Sequence, residues 1–156
     1  MKQFLLGFAA LLVLPGCVSM LPAEQRQFEI SRSITVDEAT AYKRAMIFLA
    51  KNMGNAKESI RYYDPETKNI VVPVIVPCKE LNQTFDPNDY SVSTMADIKF
   101  SEKTATFLFT GMVTTTKWYT EAGNNAQMVS EESLNAGKRC LFDNLAKPML
   151  KQINDK

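Results

Sequence analysis

The fold is decided by the stretch YSVSTMADIKFSEKTATFLFTGMV, residues 90–113. In its first half, apolar side chains recur at every second position, and in its second half Phe107 and Phe109 share a face. A period of two is typical of a strand with one buried face. The pattern therefore predicts two strands, Tyr90–Phe100 and Lys103–Val113, that form a hairpin.

Three more strands are predicted before this hairpin. Residues 27–34 alternate between apolar and polar side chains, and residues 57–63 follow as a second strand. The run 70–76 is strongly β-branched, which favours a strand. Because Pro73 cannot donate a ladder hydrogen bond, we expect an edge or a bulge at that position.

Two helices complete the predicted domain. Thr35 or Asp37 can cap a helix of about sixteen residues, with an apolar face at Ala39, Tyr42, Met46, Leu49 and Met53. Ser130 can cap the last helix, with an apolar face at Leu134, Leu141, Leu145 and Met149. Pro148 should kink or shorten the end of this helix.

These elements define the fold class as α+β, in the order β-α-β-β-β-β-α. A mostly antiparallel sheet with both helices packed on one face is the simplest way to bury all the apolar stripes. We therefore expect a single domain over residues 27–156.

The N-terminus carries a targeting signal. The apolar run at 4–14 is too short for a membrane-spanning helix but suits a signal-peptide core. It ends at Leu14-Pro15-Gly16-Cys17, which resembles the lipobox of bacterial lipoproteins. The resemblance implies a signal peptide over 1–16, a lipidated Cys17 and a tether over 17–26. Pro15 stands where that family usually has a small residue, and the alternatives are a secretory signal cut further on or a retained anchor.

The residue after the lipidated cysteine bears on location. Gram-negative lipoproteins held at the inner membrane tend to have Asp there, whereas this chain has Val18. The resemblance therefore implies an outer-membrane protein that faces the periplasm. The membrane, reached through the lipid anchor, would then be its first partner.

Charge argues against one class of partner. Once Lys2 is removed with the signal peptide, the cationic side chains balance the 17 acidic ones. Nucleic-acid-binding domains normally carry a basic face. The balance therefore indicates a protein that does not bind nucleic acid.

Cys78 and Cys140 remain after Cys17 is assigned to the lipid. An oxidising periplasm favours a disulfide between them. The alternative is a pair of buried free thiols that act as small apolar side chains.

No catalytic, metal or cofactor site is expected from the sequence. The chain contains no histidine, which removes the commonest general base and metal ligand. The turn Asp86-Pro87-Asn88-Asp89 has oxygen donors but lacks the spacing of a calcium-binding loop.

Three neighbouring residues are candidates for partner binding. Trp118 and Tyr119 lie in a predicted loop, where exposed aromatics often anchor partners, and Lys117 beside them could contact peptidoglycan or lipid headgroups. The alternative is that the two aromatic rings close one end of the core.

A known family shares several of these features. Thr40–Ala50, Ser59–Asp64, Asn69–Val71 and the later hairpin resemble a domain of unknown function with a TATA-binding-protein-like fold. Its members occur in secreted and lipid-anchored bacterial proteins. The resemblance covers residues 27–153, and it implies a fold without an agreed activity.

The sequence thus favours a non-enzymatic envelope lipoprotein. Its periplasmic domain would bind or brace an envelope protein or peptidoglycan, through an open sheet face or the 114–129 loop. Two alternatives stay open: a carrier with a lipid or small-ligand pocket between sheet and helices, and a histidine-free hydrolase that uses Asp, Glu, Ser or Lys.

Overall fold

The computed structural model of the chain describes residues 21–53, 60–81, 90–116 and 131–155. The predicted signal peptide and Cys17 lie outside these ranges, as do Lys117, Trp118, Tyr119 and the turn at 86–89.

Five strands form one antiparallel sheet in the order β1-β5-β4-β3-β2. They are β1 (Phe28–Ser33), β2 (Tyr62–Asp64), β3 (Asn69–Pro77), β4 (Tyr90–Ser101) and β5 (Thr104–Thr116). The predicted α+β class, the element order and the central hairpin are confirmed. The apolar positions of the hairpin face the helices and form the centre of the core.

One irregularity interrupts the hairpin. The register between β4 and β5 shifts between Ser93 and Met95, so that β5 contains one extra residue. Gly111 adopts a φ of 64° at this point, a conformation that glycine reaches without steric cost. The hydroxyl of Thr94, which is buried, donates to the carbonyl of Thr110 at 2.8 Å.

Pro73 lies where its missing N–H costs no ladder bond. Arg61 donates its N–H to the carbonyl of Val71 on the β2 side of β3. Because backbone groups point the same way at every second residue, the Pro73 nitrogen also faces away from β4. On that side β2 pairs only with Asn69–Val71, so it does not reach Pro73. Pro73 therefore lies at an edge of the sheet, as expected.

The first helix, α1, spans Glu38–Asn52, and Asp37 is its N-cap. One carboxylate oxygen of Asp37 accepts from the Thr40 N–H at 2.9 Å, and the other accepts from the Thr40 hydroxyl at 2.7 Å.

The buried face of α1 differs from the predicted stripe. Its centre is formed by Ala41, Ala45, Phe48 and Leu49, whereas Tyr42, Met46 and Met53 pack at its margin and Ala39 is exposed. The small alanines let the helix approach its neighbours closely. Small alanines contribute little to an apolar pattern in the sequence. The predicted stripe was therefore centred on the larger side chains Tyr42, Met46 and Met53, beside the buried face.

The C-terminal helical region consists of α2 (Glu131–Leu141), a π-helical turn (Phe142–Ala146) and α3 (Lys147–Asn154). Pro148 does not shorten the helix, which continues for six residues beyond it. In a regular α-helix the proline ring would press on the carbonyl four residues earlier. The wider π turn, in which the Lys147 N–H reaches the carbonyl of Phe142, supplies space for the ring.

Cys78 and Cys140 form a disulfide that joins the residue after β3 to α2. Both residues are buried, at 0% and 3% exposure. The bridge therefore fastens the helical layer to one end of the sheet.

The folded unit extends back to Leu21, six residues before the predicted domain start. The Arg26 guanidinium donates to the carbonyl of Leu21 at 3.0 Å and to that of Met112 at 3.4 Å. A 3-10 turn at Ala23–Arg26 lies beside β5, and Leu21 packs against the core.

Candidate partner-binding surface

All described helices pack on one side of the sheet, and no described element covers the other side. We call this uncovered side the outer face. Its middle row runs from Leu108 through Asp97 and Val71 to Tyr62, as the strand register places these residues opposite one another. The next row joins Pro73 and Met95 with Thr110, so the outer face is partly apolar along the middle of β3 and β4. On the row that leads towards the turn it is polar, with Ser31, Thr106 and Lys99.

The most exposed apolar side chains of the described residues cluster around β2 and β3. Tyr63 is 60% exposed, Tyr62 51% and Ile75 68%. The fourth large one, Ile47, is 47% exposed and lies on α1. Neighbouring exposed apolar groups indicate an interaction surface more strongly than isolated ones do.

We call Tyr62, Tyr63, Asp64 and the turn Pro65–Lys68 the β2 corner. Tyr62 lies opposite Val71, whose side chain is on the outer face, whereas Tyr63 lies opposite the buried Ile70. The two rings therefore project on opposite sides of the same sheet edge, because successive side chains of a strand alternate between faces.

Asp64 organises the β2 corner. One carboxylate oxygen accepts from the Glu66 N–H at 2.8 Å, and the other accepts from the hydroxyls of Thr67 at 2.7 Å and Tyr62 at 3.2 Å. The Thr67 hydroxyl and then the Glu66 N–H lower the pKa of Asp64 below its ordinary value. The hydrogen bond that the Tyr62 hydroxyl donates to Asp64 raises the pKa of Tyr62, because it stabilises the protonated phenol.

Tyr42 connects α1 to this corner. Burial raises the pKa of the Tyr42 phenol, and the nearby Tyr63 and Asp64 raise it further. Tyr42 on α1 therefore lies near enough to the β2 corner for Tyr63 and Asp64 to affect its pKa.

The described surface contains a groove and an open cleft among its depressions. A groove of about 280 Å³ runs along β3 between the end of α1 and the π turn, and its walls include Phe48, Val74 and Leu145. An open cleft of about 800 Å³ lies at the start of α1 and is lined largely by charged residues, Lys68 and Lys103 among them. The groove is smaller than most ligand pockets, and the cleft is lined by charged side chains of both signs.

The described residues contain no obvious chemical centre. Within them, no three Cys, Asp or Glu side chains converge in a group that could hold a metal ion. The longest helices found there are also not apolar enough to cross a membrane.

Comparisons with known proteins support the fold. No protein-family model and no curated protein matches the sequence. A TBP-like protein from Parabacteroides distasonis has a similar structure, with a TM-score of 0.60 and 11% identity over 83% of this chain and 92% of that one. A DUF4468 family protein from Bacteroides ovatus has a TM-score of 0.51 and 12% identity, over 86% and 87% of the two chains.

Identities at this level establish the fold alone. The predicted TBP-like fold of a domain of unknown function is confirmed, whereas the lipoprotein assignment stays a prediction.

The sequence pattern predicts a different partner-binding site from the one at the β2 corner. Trp118, Tyr119 and Lys117 remain candidates outside the described residues. Tyr62 and Tyr63 were noticed only as part of a strand that leads into an acidic turn. A usable signal was present, since two adjacent tyrosines in a strand cannot both face the core.

Proposed function

We propose that this chain is a non-enzymatic envelope lipoprotein, anchored through Cys17, whose domain binds a partner through the β2 corner and the adjoining outer face. The observation that carries the proposal is the exposure of Tyr62 and Tyr63 at a sheet edge held in place by Asp64. Tyrosines with a large apolar surface and a polar tip are common among the residues that dominate protein interfaces.

A protein is the partner class that this surface favours. The middle row of the outer face joins Leu108 and Val71 to Tyr62, with one charge, Asp97, between them and a second, Glu29, beyond Leu108 on β1. Apolar and aromatic side chains with few charges are typical of the centre of a protein interface. Peptidoglycan, the other partner expected from the sequence, is distinguished by the experiment below.

The test compares two exposed apolar sites of the full-length protein. Tyr62→Ala with Tyr63→Ala should lower recovery of the cross-linked partner from intact cells by roughly 30-fold, the effect of about 2 kcal/mol at an interface hot spot. Ile47→Ala is the matched control, because Ile47 has similar exposure but lies on α1 rather than on β2. Unchanged recovery with the double variant would overturn the β2 corner as the binding surface.

Two further readouts complete this experiment. Thermal unfolding must show that both variants remain folded, and digestion of the cross-linked material with a muramidase separates a peptidoglycan partner from a protein. A parallel variant, Trp118→Ala with Tyr119→Ala, tests the loop predicted from the sequence. Lower recovery with this variant alone would move the binding surface to that loop.

The anchor needs its own measurement. The intact mass of the protein from membrane fractions should show triacylated Cys17 and, on reduction, a gain of about two mass units for the Cys78–Cys140 disulfide. An unmodified Cys17 would overturn the anchored location.

A carrier of a lipid or small ligand is the second candidate, and one observation favours it. The groove beside β3 combines apolar walls with two side-chain amides, those of Asn52 and Asn144. Native mass spectrometry of the protein purified without detergent would show a retained ligand if this function were correct. A protein without added mass would count against it.

A further inference from the structure

The fixed position of Leu21, close in sequence to Cys17, restricts how the domain can be oriented on a membrane. Leu21 is fixed beside β5 at the level of Met112 by the two hydrogen bonds of Arg26 and by its own packing against the core. Leu21 is four positions after Cys17, with only three residues between them. A chain of that length spans at most about 14 Å, so a lipid-anchored Cys17 would keep the bilayer surface close to Leu21.

One end of the sheet lies at this level, and we call it the Leu21 end. It comprises Leu21–Arg26, Tyr90 and the 3-10 turn Lys79–Leu81. The Cys78 N–H donates to the carbonyl of Tyr90 at 2.9 Å, which places the 3-10 turn beside the start of β4. Ser93 on β4 is paired with Val113, the neighbour of Met112, and therefore lies at the level of Met112. Tyr90 is three residues further along β4, at a distance of about 10 Å.

The β2 corner lies at the diagonally opposite part of the sheet. Asn69, where β3 begins after the turn, is opposite Lys99, six residues or about 20 Å along β4 from Ser93. β2 is also three strands away from β5, which adds about 14 Å across the sheet. The turn Pro65–Lys68 is therefore about 25 Å or more from Leu21.

We infer that the short tether holds the Leu21 end against the headgroups of a phospholipid bilayer, with the β2 corner directed away from the membrane. The inference rests on the proposed lipidation of Cys17 and deepens the proposed function, because it leaves Tyr62 and Tyr63 free to meet a partner in the periplasm. The bilayer-facing surface and the partner-binding surface are then different ends of one sheet.

Charge does not orient the domain in this arrangement. The Leu21 end contains Lys79, but also an ion pair between Arg139 and Glu80, and its side chains are of mixed sign. Attraction to anionic headgroups would require a surplus of cations and would weaken with salt. We therefore expect the orientation to be the same at low and high salt.

Energy transfer from a single tryptophan to dansyl-labelled phosphatidylethanolamine tests this orientation. The full-length lipidated protein is reconstituted in phosphatidylethanolamine–phosphatidylglycerol vesicles, in a Trp118→Phe background that removes the only native tryptophan. Tyr90→Trp reports on the Leu21 end and Glu66→Trp on the β2 corner. Lys79→Trp, at an exposed position, replaces the first probe if the half-buried Tyr90 does not tolerate substitution.

Transfer should be severalfold stronger from the Tyr90→Trp protein than from the Glu66→Trp protein, at either salt concentration. A flexible insertion of about 20 residues before Leu21, with a root-mean-square span of about 25 Å, should remove most of the difference. Equal transfer from both probes, or stronger transfer from Glu66→Trp, would overturn the orientation. A difference that survives the insertion would overturn the role of the tether.

The mass of Cys17 separates this outcome from failure of the proposed function. A lipidated protein with equal transfer from both probes loses the orientation but keeps the anchor and the partner-binding surface. An unmodified Cys17 removes the anchor, and the orientation is overturned with it.

Discussion

The β4–β5 hairpin and β2 both carry aromatic rings, yet these rings have opposite environments. In the hairpin, every apolar side chain on the inner face is buried, and Phe100, Phe107 and Phe109 are at most 1% exposed. In β2, both tyrosines are more than half exposed. The hairpin has a neighbour on each side, whereas β2 is a three-residue edge. Position in the sheet therefore decides whether the aromatic rings of a strand are buried or exposed.

The largest expected effect comes from truncation of a hairpin ring. Phe107 is fully buried and lies opposite Ile30 and Ile98 in the register. Phe107→Ala should lower the free energy of unfolding by about 3–5 kcal/mol. Tyr62→Ala should change it by no more than about 0.5 kcal/mol, as is usual at exposed sites. Urea denaturation of both variants measures the two changes. Equal losses in the free energy of unfolding would contradict the difference between the hairpin and β2.

Removal of the disulfide should have the next largest effect. Replacing both Cys78 and Cys140 by alanine should cost about 2–4 kcal/mol, because the bridge fastens α2 to one end of the sheet. The same denaturation experiment, with and without a reductant, checks this value. The reductant should destabilise the wild-type protein and leave the double variant unaffected.

The bulge of the hairpin provides a smaller effect. A Cβ at Gly111 would meet nothing within 4 Å, so crowding cannot contribute. Gly111→Ala should therefore cost only the strain of a left-handed backbone, about 1–2 kcal/mol. Gly111→Asn should cost less, because asparagine tolerates this conformation better. Comparable losses for the two variants would argue against backbone strain as the cause.

The smallest effect is the pH dependence due to Asp64. Because the pKa of Asp64 is lowered in the folded state, its contribution is present above the unfolded-state pKa. It is lost as the pH falls through the lower folded-state pKa. The stability difference between wild type and Asp64→Asn should shrink over this acidic range. Thr67→Val, which removes the first of the hydrogen bonds responsible, should reduce the same component; a difference independent of pH would contradict this explanation.

Much of the fold could be predicted because its main signals are local. Alternation in residues 90–113, the β-branched run at 70–76 and the Asp37 cap each depend on a few neighbouring residues. The exact buried face of α1 could not be predicted, since it is set by how closely Ala41 and Ala45 approach the other elements. The six further helical residues beyond Pro148 could not be predicted for a similar reason, as the π turn that accommodates the ring has no sequence pattern of its own.

The candidate site was less predictable than the fold. A pair of tyrosines such as Tyr62 and Tyr63 indicates a strand, but only the strand order shows that this strand is a short edge. The use of Asp64 as a shared acceptor likewise depends on the turn that brings Glu66 and Thr67 to it. An exposed edge depends on the order of the strands in the sheet. Patterns among neighbouring residues in the sequence say little about that order.

Site-specific photo-cross-linking in intact cells tests the central claim most directly. A photoreactive phenylalanine analogue is placed at Tyr62 in one full-length protein and at Ile47 in another, and the products are compared after irradiation. If the β2 corner is the binding surface, we expect a discrete cross-linked product from the Tyr62 position and none from Ile47. The same products from both positions, or a product from Ile47 alone, would contradict the β2 corner as the binding surface.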